Sequence, residues 1–138
     1  MSDDTISEAK GTTEALFRRR PIQRVPKPWG YELIYAKTDR YVGKILHINR
    51  GESLSLQYHE IKEETLYVVQ GELLLTIEFE GDRRELSLRT GEAFHIPPRM
   101  IHRMEAIVDT DVAEVSTPEL DDVVRLEDRY GRVGTSKA

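Results

Sequence analysis

The 138-residue sequence contains no cysteine. That excludes a disulfide framework and every thiolate metal site, so a bound metal would have to be held by imidazole, carboxylate or amide oxygen. It has no apolar run approaching the roughly 18 to 20 residues of a membrane helix, and its N-terminus lacks the basic-then-apolar pattern of a signal peptide. A cytoplasmic protein is expected. A surplus of positive charge is missing too. The formal charge is −5, and the one tight basic run, Arg18–Arg20, lies beside Pro21 in a polar leader that reads as a solvated tether. Nucleic acid is therefore not an expected partner. The length suits one domain with one core.

Residues 1–20 are rich in Ser, Thr, Asp, Glu and Gly, with too few large apolar groups to offset the entropy of ordering. They are expected to form a disordered or loosely ordered leader to a domain spanning 21–138. From Trp29 onward, short apolar segments alternate with turn residues at a spacing that leaves no room for crossover helices. The fold class predicted is all-β. Strands are expected at Tyr31–Ala36, Tyr41–Ile48, Ser53–His59, Thr65–Gln70, Glu72–Phe79, Arg84–Arg89, Ala93–Pro97, Ile101–Ile107 and Val112–Thr117. Gly51, Gly71, Gly81-Asp82 and Gly91 mark the corners, and Pro97-Pro98 ends a strand for want of ladder donors. Past Pro118, Leu120, Val123, Val124 and Leu126 fall near a helical spacing, which predicts a short C-terminal helix over Leu120–Arg129 stopped by Gly131.

The chemistry concentrates between Gly51 and Gly71. Gln57 and His59 are two residues apart, which on a strand puts an amide oxygen and an imidazole on one face. Glu64 follows a short turn and can return to the same point from the next strand. After the proline corner, His102 supplies a fourth donor. Two imidazoles, a carboxylate and an amide suit one divalent ion, whether zinc, manganese, iron, cobalt or nickel. For His47 the structural reading leads, and His95 could reach the site only if its face of the strand points inward.

These two blocks resemble the paired motifs of the cupin superfamily: Gly, five residues, His-x-His, a short spacer, Glu, six residues, Gly, and then Gly, five residues, Pro-x-Gly-x-x-His. The sequence departs at Gln57, where most cupins have His, and at Arg99, where most have Gly. Leu54-Ser-Leu-Gln57-x-His59 is similar to the cupin domain of type II mannose-6-phosphate isomerases. So are the Val25-Pro-Lys-Pro-Trp-Gly-Tyr-Glu32 entry and the Asp122–Arg132 signature, giving a likeness over about Val25 to Arg132. Lys62 stands where that family typically has Arg, and His102-Arg103 keeps its His-Arg pair. In relatives this domain usually follows a sugar-nucleotide pyrophosphorylase. These residues carry no Gly-rich phosphate loop, so nucleotidyl transfer is not expected of them.

The resemblance implies a jelly-roll barrel, a homodimer in which residues near Pro21 to Trp29 cross over, and a small-molecule sugar or sugar phosphate as partner. It implies aldose–ketose isomerisation through a metal-stabilised enediolate. The general base would come from Lys62, His95 or Glu105, and the substrate would be held by Lys62, Arg103 and Arg125. Two other readings stand beside it: a non-catalytic metal-containing cupin that binds a carbohydrate or small molecule, and a non-haem metal cupin oxygenase. Trp29 is expected to plug one end of the barrel.

Overall fold

The computed structural model describes residues 13–135. The expected leader lies outside the described residues up to position 12. Beyond it, Glu14–Phe17 form one 3-10 turn that buries none of its residues. The strands are β1 (Gln23–Lys27), β2 (Gly30–Lys37), β3 (Val42–Ile48), β4 (Leu56–Tyr58), β5 (Glu64–Gln70), β6 (Glu72–Phe79), β7 (Asp82–Arg89), β8 (Ala93–Ile96), β9 (Ile101–Ala106), β10 (Thr110–Ser116), β11 (Val124–Glu127) and β12 (Gly134–Thr135). They form two six-stranded sheets, one in the order β1-β2-β3-β10-β5-β8 and the other β12-β11-β4-β9-β6-β7. All pairings are antiparallel. This is the all-β jelly roll that the sequence implied, with β1 pairing to β2 of its own chain. Among the described residues no helix is long and apolar enough to cross a membrane.

Period-two alternation builds the core. Leu66 and Val68 on β5, Leu73 and Leu75 on β6, and Val112 on β10 are fully buried. Truncating any one of them to Ala should cost about 2–5 kcal/mol. Trp29 is 2% exposed and packs with this cluster. At the β5–β6 corner, Gly71 has φ +113, and an added Cβ would sit 2.8 Å from both the Asp109 carbonyl oxygen and the Thr110 Cα. No side chain fits there without moving backbone, so glycine at this motif position is a steric requirement.

The inner face of the first sheet also carries charge. Glu32 on β2, Lys44 on β3 and Glu114 on β10 are buried, and Lys44 and Glu114 are register partners. The outer faces differ from one another. Tyr35, Tyr67, Val69 and Val115 stand exposed on the first sheet, whereas the second carries the ion pairs Glu78–Arg83, Glu72–Arg89 and Arg103–Glu127.

The expected C-terminal helix is corrected. Val124–Glu127 is strand β11, paired with β4 through Val124↔Tyr58 and Arg125↔Gln57. Val123 and Arg125 are buried while Leu126 is exposed, an alternation of period two. The open edge of short β4 offers Val124 and Arg125 a ladder that a helix would leave unpaired, so pairing overrides the helical spacing. The strand expected at Ser53–His59 contracts to Leu56–Tyr58, with Ser53 making a single bridge to Glu105.

Candidate metal centre

Gln57, His59, Glu64 and His102 reach one region because three strands deliver them. β4 ends into His59, β5 begins at Glu64, and β9 places His102 in register with Gln57. His59, Glu64 and His102 are buried, and their ligand atoms lie within 4.8 Å of one another. Glu64 Oε2 is 3.7 Å from His59 Nε2 and 3.2 Å from His102 Nε2. Gln57 lines the same cavity, where its Oε1 accepts a hydrogen bond from Ser55 Oγ at 2.8 Å.

The tautomers follow from the outer partners. His59 Nδ1 donates to the Asp122 carbonyl at 2.6 Å, and His102 Nδ1 to the Met100 carbonyl at 2.9 Å. A carbonyl only accepts, so each Nδ1 carries hydrogen, and in the neutral ring each Nε2 presents a lone pair. Neither Nε2 makes a hydrogen bond. Two buried lone pairs facing a carboxylate repel unless a cation sits among them. The donor set therefore fits a divalent ion held by His59, Glu64, His102 and the Gln57 amide oxygen.

The loop between His59 and Glu64 is clamped by Asp122. Its Oδ1 accepts from the Glu60 amide at 3.0 Å, and its Oδ2 from the amides of Ile61 and Lys62 at 2.7 and 2.8 Å. Partial burial works against the Asp122 charge, but these three amides outweigh it and hold the carboxyl below its usual range. From the other side, the Arg99 amide donates to the His59 carbonyl at 2.6 Å. Arg99 has φ +74, the conformation for which most cupins use glycine.

Lys62, a candidate both for catalysis and for substrate, is buried. Its Nζ lies 3.2 Å from Glu64 Oε1 and 3.2 Å from Glu114 Oε2. Burial opposes the ammonium, but the Glu114 and Glu64 carboxylates win and raise Lys62 above the ordinary lysine value. For Glu64, burial is outweighed by the Lys62 ammonium, which holds it well below the carboxylate range. Glu114 moves the other way: burial and the charge of Glu64 raise it despite Lys62. Glu114 was not singled out in the sequence, although Asp111-Val-Ala-Glu114 alternates in a way that puts Val112 and Glu114 on one face.

The remaining candidates divide. Arg125 is buried and lines the cavity. His95 is turned outward, because Ile96 takes the inner face of β8, and it bonds Glu63 at 2.6 Å on the surface. Arg103 and Glu105 alternate with the buried His102, Met104 and Ala106 of β9 and so leave the cavity. His47 is tied to Asp111 at 2.7 Å and stacks on Tyr31.

Residues 18–128 match the family described as mannose-6-phosphate isomerase C-terminal. Over 120 residues the chain is 40% identical to the mannose-1-phosphate guanylyltransferase of Escherichia coli K12, covering 83% of this chain and 24% of that protein. It is 31% identical over 116 residues to the alginate biosynthesis protein AlgA of Pseudomonas putida, covering 80% and 23%. The chain thus spans about a quarter of the length of these curated relatives. Among solved structures, KdgF from Halomonas sp. superposes with a TM-score of 0.58 at 28% identity, over 72% of this chain and 88% of that one. An RmlC-like cupin from Shewanella frigidimarina gives 0.61 at 15% identity, over 70% and 84%, a likeness of fold. By fold, motif and sequence match, the chain belongs to the mannose-6-phosphate isomerase C-terminal family of cupin domains.

Proposed function

We propose that this domain is a metal-dependent aldose–ketose isomerase acting on a sugar or sugar phosphate, with Gln57, His59, Glu64 and His102 holding one divalent ion. The observation that carries this reading is the buried convergence of two imidazole lone pairs and one carboxylate, with no hydrogen bond to satisfy either Nε2. Family membership supports sugar chemistry. A bound ion would supply Lewis-acid stabilisation of the enediolate oxygens.

The reaction also requires a group that takes a proton from the carbon beside the carbonyl and returns it to the neighbouring carbon. Lys62, kept as an ammonium by two carboxylates, suits charge stabilisation and not proton abstraction. Glu114 suits the proton transfer. It lines the cavity with its Oε2 beside Lys62 Nζ at 3.2 Å, and burial together with the Glu64 charge raises its carboxyl, the direction that makes a carboxylate a better proton acceptor.

The test is proton NMR of mannose 6-phosphate in deuterated water with zinc- or manganese-loaded protein. Fructose 6-phosphate should appear with deuterium at the exchanged carbon, and chelation or His59→Ala should abolish both signals. Metal-loaded protein inert toward both sugars would overturn the assignment.

A second reading, a cupin that binds a small molecule without turning it over, is favoured by Lys62, which is locked between Glu64 and Glu114 at 3.2 Å from each. Calorimetric binding of sugar phosphates without NMR turnover would select it.

A further inference from the structure

The four donors of the metal centre are not all held in the same way. His59 is oriented by the Asp122 carbonyl and His102 by the Met100 carbonyl, each through Nδ1, and Glu64 turns its Oε1 to Lys62 at 3.2 Å. Each of these three makes its outer contact through an atom other than the one that faces the cluster. Gln57 does not. Its outer contact falls on the donor atom itself, because Ser55 Oγ donates to Gln57 Oε1 at 2.8 Å. An amide oxygen has two lone pairs, so the hydroxyl takes one and leaves the other for an ion.

Ser55 is fixed where it can do this. It is 1% exposed and lines the cavity with Gln57 and His59, as alternate residues of an extended chain do. Just before it, the Leu54 amide donates to the Met104 carbonyl at 2.9 Å and Ser53 bridges Glu105. The segment is thereby pinned to β9, the strand that carries His102, and His102 is the register partner of Gln57. For packing alone an alanine would serve at position 55, since a hydroxyl adds no apolar area and must be desolvated. Glutamine also has one more rotatable bond than histidine, so more side-chain entropy is lost in ordering it. A fixed donor at its tip offsets that loss.

Resting on the reading of this cluster as a metal centre, we propose that Ser55 is a positioning residue whose hydroxyl holds the Gln57 amide oxygen for the ion, and that the pair sets how well the site takes manganese relative to zinc. Zinc is satisfied by imidazole and carboxylate in a four-coordinate shell that a water can complete, whereas manganese favours oxygen donors and a larger shell. Losing the hold on the amide oxygen therefore penalises manganese more.

The test is calorimetric titration of the metal-free full chain with manganese and with zinc. Ser55→Ala should weaken manganese about tenfold and zinc about threefold or less, at unchanged stoichiometry. In a Gln57→Leu background, where the acceptor is gone, Ser55→Ala should change manganese affinity by less than about twofold, a coupling that a merely structural serine would not show. Equal losses for the two ions, or the same loss in both backgrounds, overturn the proposal. Nitrogen-15 NMR of the unaltered chain reads it even if a variant folds poorly: zinc should shift the Gln57 side-chain amide together with the His59 and His102 rings. Rings that shift while the amide stays still leave the metal centre standing and remove the role of Ser55. Rings that zinc does not move sink both. Metal binding that depends on Ser55 in protein inert toward sugars removes the isomerase reading and leaves the positioning role intact.

Discussion

His59 and Asp122 are joined twice, although 63 residues separate them: the Asp122 carbonyl receives the His59 Nδ1 hydrogen, and the Asp122 carboxylate receives the three amides that follow His59. One residue of the C-terminal segment thus sets both the ring's tautomer and the path of the loop to Glu64.

Asp122→Ala should therefore loosen the metal ligands as well as the fold. Losing charge-assisted bonds to three amides should cost about 2–4 kcal/mol by denaturant unfolding, and metal affinity should fall about 10- to 100-fold. Asp122→Asn, which keeps an acceptor oxygen, should recover part of both. The pH dependence has a definite sign. The folded-state value lies below the ordinary 3.8, so the stabilisation is present above that value and is lost as pH falls through the folded one. An acid titration of the Asp122→Ala variant should show a shallower loss of stability below about pH 4 than the parent.

Lys62 should behave as a structural ammonium. Lys62→Met leaves Glu64 and Glu114 buried beside each other without a cation, and the destabilisation should be about 3–5 kcal/mol. Adding Glu114→Gln removes one charge and should restore a large part of that loss. A double-mutant cycle by chemical denaturation measures the coupling, and additivity within about 0.5 kcal/mol would refute it. Because the folded value of Lys62 is raised above 10.5, its contribution is complete below that pH and declines only as pH climbs through the folded value.

The barrel was readable because short apolar segments alternate with turn residues: the stretch Glu72–Phe79 matches β6 residue for residue, and the motif glycines fall at positive φ. The site was readable as spacing. Gln57 and His59 share a strand face, and the proline corner turns His102 back toward them. What the spacing did not carry was phase at the individual position. Phe94 and Ile96 already claim the inner face of β8, and His102, Met104 and Ala106 that of β9. Period two alone could therefore have placed His95, Arg103 and Glu105 outside. Asp122 and the pairing of β11 with β4 are contacts across more than 60 residues, for which local pattern holds no signal. Valine spacing there satisfies a helix and a strand equally.

Arg99 offers a test of backbone strain beside the site. At φ +74 its Cβ crowds the backbone, and glycine is the residue most cupins place there. Arg99→Gly should raise stability by about 0.5–1 kcal/mol, because relief of the left-handed conformation exceeds the added unfolded-state entropy. The His59 carbonyl keeps its amide donor, so metal stoichiometry should not change. A loss of stability would mean that the Arg99 side chain, 3.9 Å from Glu60, does more than its exposure suggests.

Metal removal addresses the centre directly. An ion that binds only the folded chain stabilises it by about 2.7 kcal/mol at a hundredfold excess over its dissociation constant. Zinc or manganese should therefore raise the melting temperature by several degrees, and a chelator should reverse the shift. His59→Ala and His102→Ala should abolish the response. Glu64→Gln separates an ion from the alternative of charged imidazoles. Its amide NH2 can donate to the Nε2 lone pairs, so the metal-free variant should lie within about 1 kcal/mol of the metal-free parent while losing the metal response. If instead the two rings are imidazolium partners of the Glu64 carboxylate, the same substitution strands two buried charges. The variant should then be destabilised by about 3–5 kcal/mol whether or not metal is present.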